Sequence, residues 1–141
     1  MTSATQPLLR HLLVPVATET DARETARALS PYNPERVTIV HVVEKGEGIP
    51  DKTPVEQSEA VAEAAFTVFR ETFPDAAEEL VYERDVVEGV VDAANAVEAS
   101  AIAFQPREGS RLRQFLSGDR TLRLVTEADR PVISLPGGGD R

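Results

Sequence analysis

Between residues 107 and 130 the chain sets six arginines (Arg107, Arg111, Arg113, Arg120, Arg123 and Arg130) against four acids (Glu108, Asp119, Glu127 and Asp129), a net positive stretch in a chain of formal charge −9. Guanidinium groups hold phosphate or carboxylate through paired N–H bonds. Where such a loop runs into a helix, the free backbone N–H groups and the helix dipole add to the attraction. The same arginines are also suited to ion pairing with the acidic remainder of the chain or of a second subunit, and both readings stay open at this level.

Other chemistries find little to build on. His11 stands at the start of one apolar β-prone run and His41 inside another, where both read as packing residues rather than ligands or bases. Asp85, Glu88 and Asp92 fall around the start of an expected helix, where acids favour the dipole and need no catalytic role. The chain contains no G-x-x-x-x-G-K-[ST], G-x-S-x-G or H-E-x-x-H pattern. It has no cysteine, which removes disulfides, thiolate metal sites and cysteine nucleophiles and gives no support to an oxidising compartment.

The elements that must position these residues alternate. The run HLLVPV (11–16) reads as a strand buried on both faces, and VTIVHVV (37–43) as a second, central one. Between them Thr20 or Asp21 is expected to cap a helix reaching about Ser30, stopped by Pro31 and Pro34. From 55 to 73, Val55, Ala62, Phe66, Phe69 and Phe73 recur at helical spacing, so the phenylalanines read as core residues. ELVYERDV (79–86) reads as strand three, Val87, Val90, Val91, Ala94 and Val97 as one face of the next helix, and AIAF (101–104) as strand four. A loop follows, then a helix whose expected apolar face is Leu122, Val125 and Ala128, then a fifth strand at RPVISLP (130–136).

Strands alternating with helices imply right-handed crossovers and a five-stranded, mostly parallel sheet with helices on both faces, a three-layer α/β/α domain. Ligands in such sheets bind beyond the carboxyl ends of the strands, so the segments after strands one, two and four are the places to inspect. The 141 residues fit one domain over 1–136 with a loose tail at 137–141. The apolar stretch near the N-terminus is about six residues long and interrupted by proline, too short for a signal segment or a membrane span, so a cytoplasmic location is expected. The charge of −9 and pI near 4.7 disfavour nucleic-acid and anionic-membrane partners. Thirteen arginines against Lys45 and Lys52 alone fit either a salty cytoplasm or a GC-rich gene.

The runs LLVPV, VTIVHVV, VYERDVVEGVVDAA and RLRQFLSGDRTLRLVTEADRPVISLP, in this order and spacing, resemble the universal stress protein family from about Leu8 to Leu135. The resemblance implies a Rossmann-like domain of the adenine nucleotide alpha hydrolase type. It also implies a homodimer, joined by antiparallel pairing of the last strands through Val132, Ile133, Ser134 and Leu135.

In ATP-binding members of the family a glycine, two residues, a second glycine, nine residues and then glycine with Ser or Thr follow the fourth strand. Those places here are Gln105, Glu108, Gly118 and Asp119, of which Gly118 alone matches. Gln105 and Glu108 add side chains where backbone must approach phosphate closely, and Glu108 and Asp119 add negative charge. The acid after strand one that is taken to contact adenine corresponds to Ala17.

The first expectation is therefore a non-enzymatic stress-response or regulatory homodimer with a degenerate ATP motif, no cofactor and no metal, which acts through dimerisation or through contacts with an unidentified protein partner. The second is an ATP-, AMP- or small-anion-binding domain using Pro15, Val16, Ala17, Val43, Gln105, Arg107, Gly109, Arg111, Gly118, Asp119 and Arg120. A third, an adenine-nucleotide-using enzyme or electron-transfer subunit, fits the short chain less well.

Overall fold

A computed structural model of the chain describes residues 7–44, 55–105 and 118–136. Apolar, β-branched runs bounded by polar residues form the strands β1 (Leu12–Pro15), β2 (Val37–Glu44), β3 (Ala77–Glu83), β4 (Ala101–Phe104) and β5 (Val132–Ser134). Helices α1 (Glu19–Leu29), α2 (Val55–Thr72), α3 (Val86–Val97) and α4 (Gly118–Glu127) separate them. The sheet has five parallel strands in the order β3-β2-β1-β4-β5, and the order reverses between β1 and β4.

Every residue of β1 and β4 is buried, because helices cover both faces. Alternation along the strands divides the core in two. Leu12, Val14, Val16 and Ile39 pack under Leu29 of α1 and Phe66 and Phe69 of α2. Leu13, Val40, Val42 and Ile102 pack under Val87 and Val90 of α3 and Leu124 of α4. The expected phenylalanine stripe is core, with the Phe69 and Phe73 rings stacked at 5.2 Å between centroids. On the other face α3 approaches β2 so closely that a Cβ on Gly89 would lie 2.9 Å from Val42 Cγ2.

Two sequence expectations are corrected. The cap of α1 is Thr18, not Thr20 or Asp21. Thr18 has the extended backbone of an N-cap and its hydroxyl accepts from Asp21 N–H at 3.2 Å, whereas Thr20 and Asp21 already lie inside the helix. In α4 the core contact is made by Leu124, fully buried, while Leu122 and Val125 are exposed. Leu124 and Ala128, four residues apart, form the inward face with Val132, so the helix is turned by roughly a quarter turn from the expected phase. Boundaries shift as well: β1 begins at Leu12, β3 runs over Ala77–Glu83, and β5 is only three residues long.

The ends of α3 are fastened by side chains. At its start Asp85 Oδ1 accepts from Val87 N–H (2.9 Å) and Glu88 N–H (3.4 Å). At its end Glu98 turns into the left-handed region (φ 57°), a conformation that crowds Cβ in any residue but glycine. Glu98→Gly is therefore expected to raise the free energy of unfolding by about 1 kcal/mol, read as a higher midpoint in urea; an unchanged or lower midpoint would mean that Glu98 has compensating contacts.

Candidate functional site

The reversal of strand order between β1 and β4 opens a crevice at their carboxyl ends. Continuing the strand registers by a few residues places His41, Val16, Gln105 and Leu135 in one row across β2, β1, β4 and β5. Pro15 and Val16 are buried, Val43 on β2 is buried, and Ala17 is half-buried where the chain leaves the sheet. The structure thus brings Val16, Ala17 and Gln105 to one place at the mouth of the crevice. Gly118, Asp119 and Arg120 form the first turn of α4. Arg107, Gly109 and Arg111, with Glu108, lie outside the described residues.

Gln105 is the informative member. Its side chain is fully buried, and its Nε2–H donates to the Pro136 carbonyl at 2.9 Å, two residues beyond β5. The Leu135 N–H donates to the Phe104 carbonyl at 2.7 Å just beside it. Oε1 of Gln105 is buried with no hydrogen-bond partner among the described residues. Gln105 therefore ties the end of β4 to the end of β5.

His41 marks the other side of β1. Val16 N–H donates to the Val40 carbonyl at 3.0 Å in the ordinary ladder, and the Val16 carbonyl accepts from His41 Nδ1–H at 3.1 Å. A carbonyl can only accept, so the neutral ring carries its proton on Nδ1. At the opposite end of the sheet His11 is buried, its Nε2 2.8 Å from Thr38 Oγ1, and its backbone N–H donates to Ser100 Oγ at 2.9 Å. Both histidines pack and bond within the fold, in keeping with the sequence reading.

Two of the six arginines are committed to structure. Arg123 pairs with Asp85 (2.9 Å) and with Glu127 one turn along its own helix (3.1 Å). Burial works against the Asp85 charge, but the Arg123 guanidinium and the two capping N–H bonds outweigh it and hold this carboxyl below its ordinary range. Arg130 donates to the carbonyls of Ala94 (2.9 Å) and Ala99 (2.7 Å) and to Asn95 Oδ1, closing the carboxyl end of α3. Sequence reasoning missed this role; the signal was an arginine that precedes a proline-led strand, with a helix end of free carbonyls elsewhere in the chain. Among the described residues no group of acids and histidines could hold a metal ion, and no helix is long and apolar enough to cross a membrane.

No protein-family model matches the chain, and no curated protein matches its sequence. Solved structures do match it. The universal stress protein from Archaeoglobus fulgidus in complex with dAMP aligns over 89% of this chain and 97% of its own, with a TM-score of 0.66 at 20% identity. A universal stress protein in complex with cAMP aligns over 92% and 98%, with a TM-score of 0.63 at 14% identity. A protein of the universal stress protein family from Burkholderia pseudomallei aligns over 94% and 100%, with a TM-score of 0.64 at 22% identity. The chain is similar to these proteins in fold, a Rossmann-like three-layer α/β/α arrangement over nearly its whole length.

Burial lowers the pKa of His41, and burial together with the charge of Arg36 lowers that of His11. Between the folded and unfolded values the unfolded chain binds protons that the native chain does not. The contribution of neutral histidine is thus complete above about pH 6.5 and is lost as pH falls below it. Urea midpoints are expected to drop between about pH 7.5 and pH 5.5, and the drop to shrink in a His11→Gln, His41→Gln double variant; equal midpoints in the unmodified protein would contradict the assignment.

Proposed function

We propose that this chain, built on the universal stress protein fold, is a non-enzymatic, cytoplasmic regulatory domain that works as a homodimer through contacts with a protein partner and does not hold ATP in the manner of its nucleotide-binding neighbours. The observation that carries the proposal is Gln105. Its carboxamide is fully buried and bonded to Pro136, which supports reading the position aligned with the motif's first glycine as closed to close approach by phosphate. Ala17, half-buried at the end of β1, has no side-chain group to read a base edge. The described part of the crevice offers no nucleophile paired with a base.

The dimer is supported by the unlike edges of the sheet. The open edge of β3 carries Glu79 and Glu83 beside Glu78, the last paired with Arg70 at 3.1 Å, so two copies meeting there would repel, whereas β5 carries no charge. Ile133 and Val132 are half-buried at that edge and Ser134 is exposed, while Leu135 turns into the chain's own core. Ile133→Lys is expected to move the protein toward monomer in light scattering; an unchanged dimeric mass would exclude this edge.

A second reading, binding of a nucleotide or another small anion, is favoured by the dAMP and cAMP complexes of two neighbours. With Arg123 and Arg130 engaged elsewhere, it rests on Arg107, Arg111 and Arg120. Native mass spectrometry of freshly purified protein with and without added ATP and AMP separates the two. The proposal predicts a ligand-free dimer unaffected by nucleotide; a stoichiometric nucleotide mass would overturn it in favour of the second reading.

A further inference from the structure

The longer edge of the sheet is open. β3 lies in continuous register with β2 from Ala77 to Glu83, seven residues without proline or bulge, an extent of about 23 Å. Among the described residues no strand pairs with its other side, and Ala77, Glu78 and Tyr82 are exposed. Edge strands are ordinarily blunted by shortness, proline, a bulge or charge. β3 has charge alone, and all of it is of one sign.

Alternation along the strand sorts its side chains. Leu80 packs with the α1 and α2 core and Val81 with the α3 core, so Glu79, Val81 and Glu83 share the α3 face, and Leu80 and Tyr82 the α2 face. Tyr82 is held there by Glu59 of α2, whose Oε2 accepts from its hydroxyl. The Glu83 stem rests against α3, where a Cβ on Gly89 would lie 3.4 Å from its Cγ. Glu78 is paired with Arg70, whereas Glu79 and Glu83 have no ion-pair partner among the described residues. Glu44 of β2 stands level with Glu83 and adds to the negative potential at that end. The edge thus combines open backbone with two carboxylates four residues apart on one face and an apolar and an aromatic side chain on the other.

We propose that the β3 edge is a docking site for an extended basic segment of another protein, added to the sheet as a sixth strand. Lysine or arginine at positions i and i+4 of that segment would stand beside Glu79 and Glu83, and apolar residues at i+1 and i+3 beside Leu80 and Tyr82. Strand addition takes its affinity from main-chain hydrogen bonds and its specificity from alternate side chains, and the i, i+4 spacing is the same for either strand direction. This rests on the reading above that the chain works through a protein partner, and it names the surface and the chemistry of that partner. A second copy is the wrong occupant, because pairing β3 with itself sets glutamates against glutamates in a chain of charge −9.

The probe is the nine-residue peptide TVKIVIKVT, whose pattern reads the same in both directions, with the acidic TVEIVIEVT and the equally charged TKVIVIVKT for comparison. Saturable binding of dye-labelled TVKIVIKVT is expected in fluorescence anisotropy, with amide shifts of ¹⁵N-labelled protein concentrated on β3 and binding of the other two peptides at least roughly tenfold weaker. The Glu79→Lys, Glu83→Lys double variant is expected to keep the native circular dichroism spectrum, to bind TVKIVIKVT roughly tenfold or more weakly, and to gain binding of TVEIVIEVT. No binding by the unmodified protein, equal binding of TKVIVIVKT, or shifts that avoid β3 would overturn the edge site alone. Amides on the open side of β3 that are already protected from exchange in the peptide-free protein would mean that a second copy holds the edge, and would overturn it too. A stoichiometric nucleotide mass in the native spectrum would overturn the partner reading, and this site with it.

Discussion

Leu12, Leu13, Val14 and Ile102 see no water on either face of the sheet, and a parallel strand in that position must have a helix above it and another below. That demand sets the rest of the molecule. It forces α1 and α2 onto one face and α3 and α4 onto the other. It fixes the registers that bring Val16 and Gln105 level, and it leaves a crevice where the strand order turns. At roughly 25 cal/mol per Å² of buried apolar surface, this double-faced core is the main source of stability, and the polar groups at its margins must then be satisfied one by one. Asp85, Arg130 and Ser100 do this at helix and strand ends, each by bonding backbone groups that burial has cut off from water.

Gln105 belongs to the same class of solution. A backbone that approaches a phosphate closely is favoured by glycine, which leaves its N–H groups open to the anion. The Gln105 side chain instead reaches sideways to the end of β5. The crevice margin and the edge strand are thereby joined by this side-chain bond as well as by the backbone bond from Leu135 to Phe104. The two edges of the sheet differ in charge, since β3 carries three glutamates and β5 none.

Much of this was legible because the strongest sequence signals are those that burial creates. VTIVHVV and AIAF have the composition of strands covered on both faces, and Phe66, Phe69 and Phe73 keep helical spacing over a long run. The phase of α4 was not legible. Leu122, Leu124 and Val125 sit among arginines and threonines in a ten-residue helix, so two inward faces are nearly equal in hydrophobicity, and the choice is made by where Arg123 finds Asp85. The α1 cap was missed for a related reason, since Thr18, Thr20 and Asp21 are all good caps and backbone geometry selects among them. For Gln105 the departure from the glycine pattern was visible, but its partner lies 31 residues away at a carbonyl that no sequence pattern marks.

The central claim, that the Gln105 side chain is a structural tie rather than part of a ligand site, is tested most directly by the two-dimensional ¹H–¹⁵N spectrum of labelled protein during titration with ATP. The account predicts that the Gln105 side-chain amide exchanges slowly with solvent and that the Gln105, Val16 and Ala17 signals stay in place to saturation. A rapidly exchanging Gln105 amide, or saturable shifts of these three residues, would contradict it.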